Sequence, residues 1–141
     1  MCIRDSSPHY QYDLANPEDS KTWRRSIYRF IVRSQTQPWM TSLDCADPSI
    51  RVDKRNESLS ALQALALLNN GFILTQSRHF AERVQNEASD LSKQIIRAHT
   101  LALGHEPSDV DLKKLLAFAK SNGLPSLCRV LLNLNEFTFA D

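Results

Sequence analysis

Hydrophobic residues recur every three or four positions through the second half of the chain, which is the spacing of one apolar face of an α-helix. This pattern predicts four helices, over residues 72 to about 88, 90–103, 108–122 and 125–134. One of them begins at a good N-cap residue, because Ser108 can accept hydrogen bonds from free backbone N–H groups, and Gly104 ends the helix before it. The core positions that we expect along these helices are Ile73, Phe80, Val84, Ala88, Leu91, Ile95, Ala98, Ala102, Val110, Leu112, Leu115, Leu116, Ala119, Leu127, Val130, Leu131 and Leu134.

The stretch SALQALALLNNGF, residues 60–72, carries apolar side chains around almost its whole circumference. A helix that is apolar on all sides belongs in a protein interior, so we expect residues 59–69 to form the central buried helix. Ser58 or Ser60 suits its N-cap, and Gly71 suits its end because glycine adopts the left-handed conformation without steric cost. Gln63 is polar in the middle of this helix, and its amide must be hydrogen-bonded if it is buried.

The first part of the chain mixes loop and helix signals. We expect residues 1–17, which are polar after residue 6 and contain two prolines, to be non-native or disordered. A helix is predicted to begin near Asp19 or Ser20 and to end before Pro38. Residues 35–57 read as a long, ordered but irregular connection. The core face that we expect on the first helix is Trp23, Ile27, Phe30 and Ile31.

These elements predict an all-α fold, an irregular or orthogonal bundle of about six helices with one long ordered loop. We expect residues 18–141 to form a single helical domain, the C-terminal fragment of a larger multidomain protein. In the closing segment NEFTFAD, we expect Phe137 and Phe139 to pack back on the core.

The charge balance argues against one class of function. The 141-residue chain has a formal net charge of +1, whereas domains that bind nucleic acids usually have a strong basic excess or a basic face. No stretch approaches the roughly 20 apolar residues that span a bilayer. Residues 1–20 also lack the apolar core of a signal peptide. We therefore expect neither nucleic-acid binding nor a membrane span.

The cysteines and histidines form no recognisable cofactor motif. Cys45 and Cys128 belong to no C-x-x-C, C-x-x-C-H or zinc-type spacing. We expect two half-buried free thiols, and a disulfide between them is the alternative. His79 and His99 lie on predicted helices, where we expect them at the surface or its boundary. Because no histidine pair has the spacing of a helical metal site, we predict no metal and no cofactor in this chain.

The best candidate for a site is the segment LDCADPS in the long connection. Asp44 and Asp47 flank Cys45, and two carboxylates beside a thiol can bind a metal or transfer protons. Arg29, in a line of arginines spaced by four residues, can supply an anion-binding group to the same candidate cleft. The alternative is that both aspartates cap turns or pair with arginines of the first helix. Their negative charge also argues against Cys45 as a nucleophile, because it disfavours the thiolate.

Four segments of the chain resemble one known family. YRFIVRS, SLDCADPS, ALQALALLNNGF and LLNLNEF are similar to the C-terminal part of a planctomycete-type secreted family, catalogued as domain of unknown function 1553. Its members are often found with cytochrome c-like domains. The resemblance runs from about Trp23 to Asp141. Many members resemble TPLQAL where this chain has Ala61 in place of the proline, and the first turn of a helix accepts both residues.

The resemblance implies an uncharacterised helical domain at the C-terminal end of an exported bacterial protein, periplasmic or secreted. Together with the lack of a compact catalytic motif, it favours an accessory role in which Trp23, Tyr28 or Trp39 packs against upstream domains. Haem c, where members have it, would be held by a separate upstream domain. The alternative is a contribution to an active site in a carbohydrate-degrading or redox-linked enzyme. No catalytic residue is established for the family, so none is transferred.

Overall fold

The computed structural model describes residues 12, 15–28, 32, 36–47, 50–53 and 60–138 of the chain. These residues form seven α-helices and no β-strand, which confirms the predicted all-α class. The chain divides into two compact units, residues 1–66 and 67–141, and the single domain predicted over residues 18–141 stays a prediction. The helices are α1 (Pro38–Ser42), α2 (Ala61–Asn69), α3 (Gly71–Glu87), α4 (Leu91–Leu103), α5 (Asp109–Asn122), α6 (Leu124–Leu131) and α7 (Asn135–Thr138).

The core of the second unit lies between α3, α4, α5 and α6. Helix α6 packs against the other three, because its apolar residues at 124, 127, 128 and 131 recur at helical spacing on one face. Val84, Ile95, Leu127 and Leu131 are 0% exposed, as their positions in the sequence predicted. Burying one such aliphatic side chain stabilises a fold by about 1.5–3 kcal/mol, so this four-helix contact is the main source of stability in the unit.

The ends of α4 and α5 lie within a residue of the predicted bounds, and capping residues set them. The Asp90 carboxylate accepts hydrogen bonds from the backbone N–H groups of Ser92 and Lys93 at 3.1 and 3.4 Å. Gly104 ends α4 with φ of 84°, a left-handed conformation that side chains with a Cβ adopt only at a cost. Ser108 then caps α5 by accepting from the backbone N–H of Asp111 at 3.2 Å. Local hydrogen-bonding chemistry therefore sets these boundaries.

Helix α2 does not form the centre of the fold, and this prediction was wrong. None of its residues is buried, and Leu62 and Leu65 are 74% and 56% exposed. The better-covered positions of the helix are Gln63, Ala66, Leu67 and Leu68, which are half-buried and mark its inner side. A helix that is apolar on every side carries no information about which side faces inward. The amphipathic helices α4 and α6 carry that information, and they form the core instead.

The junction between α2 and α3 also differs from the prediction. Gly71 is the first residue of α3 rather than a left-handed end of α2. Asn70 caps α3, and its side-chain oxygen accepts from the backbone N–H of Phe72 at 2.9 Å. The sequence Asn-Asn-Gly suits both a helix end and a helix start, because asparagine is favoured at either position. Here one helix follows the other with a single residue between them.

The long helix predicted from Asp19 is replaced by short 3₁₀ turns in the described residues, at Ser20–Thr22 and Ser26–Tyr28. Asp19 does cap the first turn, accepting from the backbone N–H of Lys21 at 3.0 Å. Trp23 is 40% exposed and its indole N–H donates to the carbonyl oxygen of Pro17 at 2.8 Å, so its predicted core position was wrong. The other predicted core side chains of this helix, at positions 27, 30 and 31, lie outside what the structure describes.

Two further predictions, one about Pro38 and one about Phe137, were wrong. Pro38 begins α1 instead of ending a helix, because the first turn of a helix needs no N–H donor at that position. Gln37 caps it, with its side-chain oxygen accepting from the backbone N–H of Met40 at 2.8 Å. At the other end of the chain, Phe137 on α7 is exposed rather than packed on the core, and Phe139 lies beyond the described residues. Within the described part, no helix is long and apolar enough to cross a membrane.

Candidate functional site

Asp44, the first residue of the predicted cleft, closes the C-terminal end of α1. Its φ of 57° places it in the left-handed region. The backbone N–H of Cys45 donates to the carbonyl oxygen of Met40 at 3.0 Å, and that of Asp44 donates to Thr41 at 3.2 Å. These two bonds form a Schellman motif, in which Asp44 takes the position usually occupied by glycine. Aspartate is among the few other residues that adopt this conformation, so Asp44 has a structural role here.

The side chain of Asp44 meets Gln63 at the start of α2. Gln63 Nε2 donates to Asp44 Oδ2 at 2.9 Å. The other end of the same amide belongs to a capping box, since Gln63 Oε1 accepts from the backbone N–H of Ser60 and Ser60 Oγ accepts from that of Gln63, each at 3.2 Å. Gln63 is half-buried with its amide hydrogen-bonded at both ends, as predicted for its polar group. It lies in the first turn of α2, and it connects the end of α1 to the start of α2.

The other members of the predicted cleft are Cys45, Asp47 and Arg29. Cys45 is a half-buried free thiol, and Asp47 is exposed. Arg29 lies outside the described residues, so its predicted place beside the two aspartates stays a prediction. The Asp44–Gln63 contact is one that the sequence pattern did not indicate, because the two residues are 19 positions apart. A role of Asp44, Cys45, Asp47 and Arg29 in an active site stays a prediction.

Cys128 lies wholly inside the core of the second unit. Its exposed fraction is 0%, and burial raises the pKa of its thiol to about 12. Both Cys45 and Cys128 are free thiols in the structure. Because the thiolate is the reactive form of cysteine, Cys128 acts as an apolar core residue rather than as a nucleophile.

A histidine cluster, defined as His99, His105 and Glu136, forms where α4, α5 and α7 come together. His99 is 7% exposed, so its predicted surface position was wrong. Its Nδ1 atom donates to the carbonyl oxygen of His105 at 2.8 Å, and the two rings meet edge to face with centroids 5.0 Å apart. A signal for this burial was available, since His99 follows Ala98 by one residue and Ile95 by four on the apolar side of α4.

His105 has an acceptor oxygen beside each ring nitrogen. Its Nδ1 lies 2.9 Å from the carbonyl oxygen of Glu106, and its Nε2 lies 2.6 Å from Glu136 Oε1. The Glu106 carbonyl and then the Glu136 carboxylate raise the pKa of His105, since both stabilise the protonated ring. On α5, hydrogen bonds from Ser108 and Lys114 lower the pKa of Asp111, and the charge of His99 contributes to the same effect.

Charged groups outside the histidine cluster stabilise helix pairs at the surface. Glu87 at the end of α3 accepts from Arg83 at 3.0 Å and from Arg97 of α4 at 2.6 Å. Arg97 and then Arg83 lower the pKa of this carboxylate. Among the residues that the structure describes, no three or more histidine, cysteine, aspartate or glutamate side chains are arranged so that they could hold a metal ion.

The fold and these polar contacts define an all-α protein whose described polar clusters cap and connect helices. The family described as PSD1, protein of unknown function (DUF1553), matches residues 3–119. The chain belongs to this family. The match does not extend to the closing segment LLNLNEF, on which part of the predicted resemblance rested. No curated protein and no solved structure matches the chain significantly.

Proposed function

We propose that this chain is an accessory, domain-packing part of a larger exported protein, periplasmic or secreted. We further propose that its contact surface is the α2 face, defined as Ala61, Leu62, Ala64 and Leu65. The observation that carries the proposal is the exposure of these four apolar residues on one side of one helix. Leu62 and Leu65 are one turn apart there, so they act as neighbours on the same surface.

The energetics of the α2 face favour a partner. Leaving a leucine exposed forfeits about 1.5–3 kcal/mol relative to burying it. Single exposed apolar residues are common, but a contiguous group on one helix face is typical of an interaction surface. The small side chains of Ala61 and Ala64 flank the two leucines and would let a partner approach the helix closely. Tyr28 is also largely exposed, which adds a second apolar group to the first unit.

The partner that we propose is an upstream domain of the same full-length protein. An amphipathic groove on such a domain would accept the α2 face in the way that grooves accept helices, with Leu62 and Leu65 as anchors one turn apart. The face offers no charged side chain to such a groove, so apolar contact would dominate the interaction. Association would then depend weakly on salt, because charge screening has little to act on.

The proposal is tested by measuring binding of the chain to the segment encoded upstream in the intact gene. In isothermal titration calorimetry, we expect the combined substitution Leu62→Ser and Leu65→Ser to weaken binding by about tenfold or more, as loss of central apolar anchors does. The unmodified chain is also expected to self-associate on its own and to become monodisperse when the upstream segment is co-expressed.

The matched control is Val110→Ser on α5. Val110 is 62% exposed, so its predicted core position was wrong. The substitution therefore removes a comparably exposed apolar group that lies outside the α2 face. We expect it to leave binding and self-association unchanged. A chain that is a monodisperse monomer by sedimentation velocity and has no affinity for the upstream segment would contradict the proposal.

A further inference from the structure

The short helix α7 has little apolar attachment to the rest of the second unit. It contains four residues, none of them buried, and its Phe137 is 45% exposed. A helix of this length is unstable unless other contacts hold it. Its backbone turn rests on Leu134, whose carbonyl oxygen accepts from the N–H groups of Phe137 and Thr138 at 3.0 Å each. The ion pair between Glu136 and His105, at 2.6 Å, links α7 to the connection that follows α4.

The two hydrogen bonds of the His105 ring together require the imidazolium ion. A neutral ring has one N–H group and can donate to one acceptor, whereas the imidazolium ion donates from both nitrogens. Because His105 has an oxygen of Glu106 beside Nδ1 and an oxygen of Glu136 beside Nε2, only the protonated ring satisfies both. Loss of the proton removes one hydrogen bond and the charge attraction to Glu136 together.

The backbone of His105 is held in place independently of this proton. The buried ring of His99 on α4 donates to the carbonyl oxygen of His105 at 2.8 Å. The connection between α4 and α5 is thus anchored from the interior side. Protonation of the exposed His105 ring therefore changes the attachment of the ring to α7. It does not change the position of the segment between α4 and α5.

We propose that His105 and Glu136 form a pH-dependent latch, which holds α7 against the end of α4 while His105 is protonated and releases α7 when His105 loses its proton. The titratable groups around the ring are Glu136 from α7, the edge of His99 from α4, Asp111 of α5 beyond His99, and Glu106 beside it in the chain. Of these, Glu136 makes the ion pair with the ring.

The direction of the pH dependence follows from the raised pKa of His105. A histidine whose folded-state pKa lies above its ordinary value of about 6.5 contributes stability that is fully present below that value. The contribution is lost as the pH rises through the raised pKa. While Glu136 is ionised, α7 is therefore held on the acid side of the His105 titration and released on the alkaline side.

The latch is tested by NMR on the full chain from about pH 5 to about pH 9, a range that spans histidine titration. We expect the backbone amide signals of residues 135–138 to change with the same midpoint as the His105 ring signal, and their hydrogen exchange to accelerate above that midpoint. Glu136→Gln should lower the His105 midpoint toward 6.5 and make the α7 signals independent of pH. His105→Gln should also remove the pH dependence.

The matched control is His79→Gln, because His79 is a second histidine that pairs with a glutamate, Glu82, at 3.2 Å within α3. This variant should leave the α7 titration unchanged, and the signals of Ile95 and Leu127 report that each variant is folded. Signals of α7 that do not follow the His105 titration in the unmodified chain would overturn the latch. An unchanged His105 midpoint in Glu136→Gln would overturn it as well.

Discussion

Helices α2 and α6 are both short and rich in leucine, yet α2 exposes two of its leucines and α6 buries all of its own. Leu62 and Leu65 of α2 are mostly exposed, whereas Leu127 and Leu131 of α6 are fully buried. Helix α6 carries Ser126 and Arg129 on the side away from its core face, while α2 has polar side chains only at Gln63 and Asn69. When one side of a helix is polar and the other apolar, the sequence shows which side is buried. An uneven distribution of apolar residues around a helix therefore predicts burial better than the number of apolar residues does.

The two regions should therefore respond very differently to the same truncation. Leu127→Ala removes a fully buried side chain from the contact of α6 with its neighbours, and we expect it to lower the free energy of unfolding by about 2–5 kcal/mol. Leu62→Ala removes an exposed side chain, and we expect a change within about 0.5 kcal/mol. Urea denaturation followed by circular dichroism measures both. Equal losses for the two variants would remove the distinction between core and surface helix.

Two glycines sharpen the comparison at the helix ends. Gly104→Ala forces a Cβ into a left-handed residue, and we expect a loss of about 1 kcal/mol in the free energy of unfolding. A Cβ at this position would meet no atom within 4 Å, so the loss reports backbone strain alone. Gly71→Ala, in the first turn of α3, should instead be neutral or stabilising by up to about 0.5 kcal/mol. A loss at Gly71 similar to that at Gly104 would support the left-handed end that we first predicted there.

The end of α1 offers a smaller test within the first unit. Asp44→Ala and Asp44→Gly both remove the hydrogen bond to Gln63, so their difference isolates the cost of a Cβ at φ of 57°. We expect the glycine variant to be the more stable by about 1 kcal/mol or less in thermal or urea unfolding. Identical stabilities would argue that the helix end is not held in the left-handed conformation.

Capping chemistry and one-sided periodicity made much of the second unit predictable. Asp90, Gly104 and Ser108 set their helix ends through local hydrogen bonds, and Ile95 and Leu127 lie on apolar faces that oppose polar ones. Each of these features depends on residues that are only a few positions apart in the chain, so the sequence alone reveals it. The predicted boundaries of α4 and α5 therefore agree with the structure to within a residue.

Other features depend on partners that are distant in sequence, and these were missed. The Asp44–Gln63 contact joins residues 19 positions apart, and His105 meets Glu136 over 31 positions. The orientation of α2 could not be read either, because its apolar residues surround the helix. His99 is the exception, since its place on the apolar side of α4 was visible in the sequence.

The central claim is that helices α3, α4, α5 and α6 form the core and that α2 has no buried residue. Native-state hydrogen exchange, measured residue by residue by NMR, tests this claim most directly. Amides of α4 and α6 around Ile95 and Leu127 should exchange only through global unfolding. Those of α2 around Leu65 should exchange through local opening of lower free energy. Amides of α2 that exchange as slowly as those of α4 would contradict the account and restore α2 as the centre of the fold.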